Sequence, residues 1–259
     1  MTVDSLISFG SNLGRRHDFL TAAMESLWEV DGLQNLVTSD PVVTKAVGGP
    51  EDQPNFLNAV FRVTTTLTAQ ALHQHLIEIE EQLGRQRRTR WDSRKIDLDL
   101  LLHGQEVINE PDLMVPHARM SFRRFVLQPA MEIAADMVHP SSGCTIGELF
   151  AKINNGHVDY MIAGTSKTKP QWLSLVSGFE IDDFDAAEFS KKRFVVVATS
   201  EDVSRLESQT KLLVFDTEDF GNGLHDALVR FRGPTLNLTG RSASEKSQEI
   251  QAAIATVKA

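Results

Sequence analysis

Asp97 and Asp99 stand one residue apart in a stretch, Lys95 to His103, where Ile96, Leu98 and Leu100 alternate with Asp97, Asp99 and Leu101. Period-two alternation predicts a strand, and on a strand residues i and i+2 project from one face. At roughly 3.3 Å rise per residue the two Cβ atoms lie about 6.5 to 7 Å apart, near enough to share hard cations. Mg²⁺ takes one or two carboxylates and completes its shell with water and substrate phosphates, so the pair suffices for a nucleotide site. Just upstream, Arg85, Arg87, Arg88, Arg90, Arg94 and Lys95 place six cations within the thirteen residues that end at Asp97. Cations beside paired carboxylates suit a polyphosphate bridged to a metal. Arginine's planar fork binds two phosphate oxygens, which makes Arg85 and Arg94 the first candidates for the clamp. The bland alternatives are a solvated strand face and a solvated basic loop. A nucleic-acid reading also exists, since Trp91 could stack a base. A net charge of -9 disfavours it and fits a small anion held by one short cluster. His117, after Val115-Pro116, is a further phosphate candidate with an equal structural alternative.

The elements that must position these residues read strand, helix, strand, strand, helix, strand, helix. Leu6 to Phe9 is an apolar run ended by Gly10-Ser11-Asn12, and Phe19, Ala22, Ala23 and Leu27 follow at helical spacing. Gly10-Ser11-Asn12-Leu13-Gly14 is read as a structural turn, because no Gly-Lys-Ser/Thr follows and a P-loop is therefore disfavoured. After the turn chemistry of Gly48-Gly49-Pro50, Phe56 to Leu67 is rich in β-branched and aromatic residues, a strand. Leu72, Leu76, Ile79 and Leu83 form a helical stripe with Thr68 as N-cap and Gly84 as stop. Phe125 to Ala134 is a further helix.

At 259 residues, two domains are expected. With 41% hydrophobic and 24% charged residues the composition is that of a folded, water-soluble protein. The single cysteine, Cys144, excludes an internal disulfide and a zinc ribbon. No leader-like or membrane-spanning apolar run occurs, so the expected location is the cytoplasm, with no membrane or nucleic-acid partner. A first domain is expected over 1–162, a polar linker over 163–169 and a small α/β domain over 170–259. In the last, Arg193 to Thr199, Lys211 to Asp216 and Leu236 to Leu238 read as strands and Ser244 to Lys258 as an amphipathic helix. The Asp182-Asp183-Phe184-Asp185 cluster is read as an acidic loop, and Gly221-Asn222-Gly223 lacks the third glycine of a dinucleotide fingerprint. No catalysis is expected from this half. Its strands and helix suit a homodimer contact or a regulatory module.

Taken together, Ile7-Ser8-Phe9-Gly10-Ser11-Asn12-Leu13-Gly14, Asp52-Gln53-Pro54-Asn55-Phe56-Leu57-Asn58-Ala59, Arg94-Lys95-Ile96-Asp97-Leu98-Asp99 and Val115-Pro116-His117 resemble, in order and spacing, the 6-hydroxymethyl-7,8-dihydropterin pyrophosphokinases over about residues 3 to 150. The resemblance implies an α+β, ferredoxin-like pyrophosphokinase core, with ATP, two Mg²⁺ ions and the pterin as small-molecule partners. It implies transfer of pyrophosphate from ATP to the pterin hydroxymethyl oxygen, in folate biosynthesis. By residue-to-residue matching, Asp97 and Asp99 hold metal; Asn58, Phe56, Phe125 and Thr44 bind the pterin, the two rings sandwiching it. Glu80, Arg85, Arg94, His117, Arg123 and Trp91 serve ATP, Arg90 and Trp91 belonging to a loop that closes over the substrates. Ala46 and Ala118 depart from the family pattern, and the stretch from Arg85 to Trp91 is one residue shorter than in some members. The C-terminal part lies outside the resemblance, although the tail after Phe231-Arg232-Gly233-Pro234 faintly resembles a nucleoside-kinase-like domain, without a P-loop a remnant. The alternative from another class is a catalytically dead nucleotide-binding or assembly protein on the same fold.

Overall fold

The computed structural model describes residues 1–47, 52–85, 93–155, 161–164, 194–196, 210–216 and 231–258. The chain divides into two units, Met1–Met120 with Phe125–Pro140, and Ser121–Arg124 with Ser141–Ala259. In the first, β1 (Val3–Ser11), α1 (Arg16–Trp28), β2 (Leu33–Thr38), β3 (Val42–Thr44), β4 (Phe56–Thr65), α2 (Ala69–Gln82) and β5 (Asp97–His103) follow one another. The sheet runs β2-β4-β1-β5, with β3 paired to β4, and every pairing is antiparallel. The result is an α+β core. The strands β6 (Ile108–Asn109) and β7 (Met114–Val115) form a small ribbon, and α3 (Arg124–Ala134) and β8 (Val138–His139) complete this part of the chain.

The two faces of the sheet have different fates because side chains alternate along each strand. Ile7 and Phe9 of β1, Leu57, Ala59, Phe61 and Val63 of β4, and Leu98 and Leu100 of β5 point to one side. There they meet Ala23 and Leu27 of α1 and Leu72, Leu76 and Ile79 of α2 in a single buried cluster. Phe9 and Phe61 pack edge to face, centroids 6.4 Å apart. The opposite side carries Ser8 and Gly10, Phe56 and Asn58, and Asp97 and Asp99. Farther along that side Arg62 donates to Asp4 at 2.7 Å, to the Ile133 carbonyl at 3.0 Å and to Asp136 at 3.3 Å, tying α3 to the sheet. The Arg62 guanidinium beside Asp4 holds that carboxyl below its ordinary value.

Two sequence expectations change in detail. The strand β1 does not end at Phe9: Gly10 and Ser11 still pair with Asn58 and Leu57, so the turn begins at Asn12. The alternation in β5 stops at Leu100. Ile7 pairs with Leu100 and Leu6 with Leu102, which leaves Leu101 as the extra residue of a bulge, and Leu100, Leu101 and Leu102 are all buried. Helix α2 follows its signals closely. Thr68 Oγ1 accepts from the Ala71 N–H at 3.2 Å, and Gly84, at φ 81°, sits where a left-handed residue ends a helix.

In the second unit β9 (Cys144–Thr145) and α4 (Ile146–Asn155) precede a four-stranded sheet, β11-β10-β12-β13, made of β10 (Met161–Gly164), β11 (Phe194–Val196), β12 (Leu213–Phe215) and β13 (Thr235–Asn237). The pairings among these strands are parallel. Helix α5 (Ala243–Lys258) follows, its Ser242 exchanging capping bonds with Glu245. Ala163 and Gly164, expected in a linker, instead pair in β10 with Val195 and Val196. A short small-residue stretch looks like linker in sequence because nothing local reveals that its neighbours are strands. The acidic cluster 182–185 and Gly221-Asn222-Gly223 lie outside the described residues. Among the described residues no helix is long and apolar enough to cross a membrane.

Thr68→Ala removes the α2 cap and is expected to lower stability by about 1 kcal/mol. Urea unfolding should show a lower midpoint at unchanged slope.

Candidate active site

Gly10 is the point on which the site converges. In the register of the sheet it pairs with Asn58 on one side and with Asp97 on the other. A Cβ placed there would stand 3.6 Å from Asn58 Oδ1, 3.8 Å from Asp97 Cβ and 3.8 Å from the Phe56 ring. Three residues that sequence matching gives to two different ligands therefore border one gap, and the missing side chain keeps it open. Asn58 is buried and donates to Thr44 Oγ1 at 2.9 Å, across the β3–β4 pairing. This bond fixes its carboxamide orientation, leaving Oδ1 toward Gly10. Phe56 is half-buried at the start of β4, and Phe125 is half-buried in the first turn of α3.

On the other side of the gap, charges alternate. Asp97 is held at Oδ1 by Arg85 Nη2, 2.9 Å, and at Oδ2 by Arg94 Nη1, 2.8 Å. Arg85 also donates through Nη1 to Glu80, whose Oε1 accepts the Leu98 N–H of β5 at 2.6 Å. Burial raises the Glu80 carboxyl to about 7, the bond from Leu98 and the Arg85 charge pulling the other way. Burial and the neighbouring Asp99 push the Asp97 carboxyl up, against the pull of Arg94 and Arg85. Asp99, two residues on and 37% exposed, lies on the same face. Its Oδ2 is 3.9 Å from His117 Nε2. His117 is set by its own N–H donating to the Leu101 carbonyl at 2.9 Å, beyond the cis Val115–Pro116 bond. Its Nδ1 accepts from the Arg119 N–H at 3.2 Å, so the neutral ring carries its proton on Nε2, toward Asp99.

Among the described residues no group of three or more His, Cys, Asp or Glu side chains forms a metal cage. Two carboxylates on one face fit an ion that draws its other ligands from water and phosphate, as Mg²⁺ does, and fit a tetrahedral Zn²⁺ or a Ca²⁺ cage poorly.

The structure thus brings together Asp97, Asp99, Arg85, Arg94, Glu80 and His117 as one charged group, and Asn58, Thr44 and Phe56 as its neighbour across Gly10. Arg123 falls in the short stretch grouped with the second unit. Arg87, Arg88, Arg90 and Trp91 lie outside the described residues. Sequence reasoning missed two things. Glu80, matched to the nucleotide, is also the buried acceptor that joins Arg85 to β5; a lone glutamate on the apolar stripe of α2 was the available signal. Asn12, read as a turn residue, is buried and bonded to two loops.

A family model described as 7,8-dihydro-6-hydroxymethylpterin-pyrophosphokinase (HPPK) matches residues 6–135. The chain belongs to the HPPK family. A Haemophilus influenzae 2-amino-4-hydroxy-6-hydroxymethyldihydropteridine pyrophosphokinase is 39% identical over 140 residues, 54% of this chain and 87% of that one. The folic acid synthesis protein fol1 of Pneumocystis carinii is 41% identical over 147 residues, 57% of this chain but only 20% of that longer protein. An HPPK-DHPS crystal structure in complex with substrates aligns at a TM-score of 0.40 and 11% identity, over 83% of this chain and 57% of that one, too distant to extend the comparison. The HPPK match covers the charged group and the Gly10 gap and stops short of the second unit's parallel sheet.

Because the Glu80 carboxyl is raised from 4.5 to about 7, its contribution to stability is full below 4.5 and is lost as pH rises through 7. Glu80→Gln keeps the neutral form throughout. Wild type should therefore lose on the order of 3 kcal/mol relative to the variant between pH 4.5 and 8, measured by urea unfolding. Parallel pH curves would contradict this.

Proposed function

We propose that this chain transfers the β,γ-pyrophosphoryl group of ATP to the hydroxymethyl oxygen of 6-hydroxymethyl-7,8-dihydropterin, releasing AMP, as a step of folate biosynthesis in the cytoplasm. The observation that carries the reading is the convergence at Gly10, where Asn58 and Phe56 lie beside a carboxylate held between two guanidiniums. An acceptor bound at Asn58 and a polyphosphate bound at Asp97 would be neighbours, and neighbours in fixed geometry react without first collecting one another from solution.

The donor and acceptor roles follow from the groups present. Asn58, its amide oriented by Thr44, offers hydrogen bonds to the edge of a flat heterocycle, and the rings of Phe56 and Phe125 offer faces for it to stack on. Arg85 and Arg94 grip phosphate oxygens, helped by His117 donating from Nε2, while Glu80 holds Arg85 from behind. Trp91 belongs to the segment that would close over the nucleotide and exclude water. In the transfer the hydroxymethyl oxygen bonds to the β-phosphorus. The bond from that phosphorus to the oxygen bridging to the α-phosphate breaks, AMP leaves with that oxygen and its electron pair, and the hydroxyl proton passes to solvent. Two Mg²⁺ ions on Asp97 and Asp99 would supply charge neutralisation and a lower pKa for the attacking hydroxyl. The arginines neutralise charge as it shifts toward the leaving phosphate, which is most of what phosphoryl-type transfers ask of a protein. All four groups that a dead relative would be expected to lose, Asp97, Asp99, Arg85 and Arg94, are in place and in mutual contact or on one face.

The core is read as ferredoxin-like. The C-terminal unit is assigned no step of the reaction, and its parallel sheet and helix α5 are read as a homodimer contact.

Asp97→Asn keeps the shape of the side chain and removes its charge. Pterin-dependent AMP formation should fall by at least about a hundredfold, with the unfolding midpoint within a few degrees of wild type. Retained turnover would remove Asp97 from the metal site.

A further inference from the structure

Asn12 is 2% exposed, and both ends of its side chain are engaged. Its Oδ1 accepts the Arg94 N–H at 2.8 Å, and its own N–H donates to the Arg94 carbonyl at 3.1 Å. One residue therefore holds both backbone polar groups of Arg94. The Nδ2 faces three acceptors, Ser93 Oγ at 3.1 Å, Gln53 Oε1 at 3.3 Å and the Pro54 carbonyl at 3.3 Å. Ser93 Oγ in turn donates to Gln53 Oε1 at 3.2 Å. An amide nitrogen has two protons, so the three acceptors share them and the segments around 53–54 and 93–94 are bound as a unit.

Those two segments lead to different halves of the site. Gln53 and Pro54 enter β4 just before Phe56 and Asn58; Ser93 and Arg94 enter β5 just before Asp97, and the Arg94 guanidinium lies on that carboxylate. We propose that Asn12 is a positioning residue on which both half-sites depend, setting Arg94 for the nucleotide and the 53–54 segment for the pterin. The proposal rests on the functional reading above. It goes further in joining the two ligand sites through one buried amide that belongs to neither. A merely structural turn residue would contribute stability and leave affinities alone. Removing this amide instead takes one hydrogen bond from the Arg94 N–H and one from the Pro54 carbonyl, which loosens both segments.

Calorimetric titration tests this well below each protein's unfolding midpoint, with a non-hydrolysable ATP analogue plus Mg²⁺, and separately with 6-hydroxymethyl-7,8-dihydropterin in the presence of the analogue. Asn12→Ala is expected to weaken both ligands by about tenfold or more, Arg94→Ala the nucleotide alone and Thr44→Val the pterin alone. Wild-type affinities in Asn12→Ala, or loss of one ligand only, overturn the proposal. Should Asn12→Ala not fold, the double variant Gln53→Ala, Ser93→Ala decides. It retains both backbone bonds to Arg94 and, of the three acceptors of the Asn12 amide, only the Pro54 carbonyl, so pterin affinity should weaken at unchanged nucleotide affinity; unchanged pterin binding overturns the proposal. Wild type that binds neither ligand would sink the functional reading and this inference together, whereas normal wild-type binding with an indifferent Asn12→Ala sinks the inference alone.

Discussion

The site depends on the register of β1, which pairs with β4 on one edge and with β5 on the other. Gly10 lies opposite Asn58 on β4 and Asp97 on β5, so two side chains 39 residues apart in sequence are delivered to the two sides of one gap. A slip of one residue along either pairing would turn Asp97 or Asn58 into the apolar cluster, where a carboxylate without a partner costs several kcal/mol. The same alternation that buries Phe9, Leu57 and Leu98 against the helices therefore turns Gly10, Asn58 and Asp97 to the other side of the sheet. Core packing holds the register, and the register holds the site.

On that frame the electrostatics are local and nearly balanced. Glu80, Arg85, Asp97 and Arg94 form a chain of alternating sign, so each buried charge has a counter-ion within hydrogen-bonding reach. Glu80, at 6% side-chain exposure, has Arg85 and the Leu98 N–H to offset its burial when ionised, though burial still raises its carboxyl. The Leu98 N–H bonded to Glu80 belongs to the strand that carries Asp97 and Asp99, so the arginine on Asp97 is braced through the backbone of the strand it serves. Asn12 braces the second arginine in a comparable way, from the end of β1.

Much of the first unit was legible in sequence because its signals are local. Thr68 and Gly84 bracket α2, Leu72, Leu76 and Ile79 give its buried stripe, and the Asp97 to Asp99 spacing predicts a shared face. What local patterns cannot carry is pairing. The continuation of β1 through Ser11, the bulge at Leu101 and the three-segment role of Asn12 all arise from which strand lies beside which. The strand β10 escaped for the same reason: Ala163 and Gly164 look like linker until Val195 and Val196 are placed beside them. Glu80 was matched to the nucleotide by resemblance, but its bonds to Leu98 and Arg85 are pairings that no local pattern on α2 announces.

Transfer of a pyrophosphoryl group and transfer of a single phosphoryl group leave different products. Incubating the protein with ATP, Mg²⁺ and 6-hydroxymethyl-7,8-dihydropterin and resolving the products by ³¹P NMR would distinguish them. AMP and a pterin bearing two linked phosphorus atoms are expected in equal amounts. ADP with a singly phosphorylated pterin, or ATP breakdown indifferent to the pterin, would contradict pyrophosphoryl transfer.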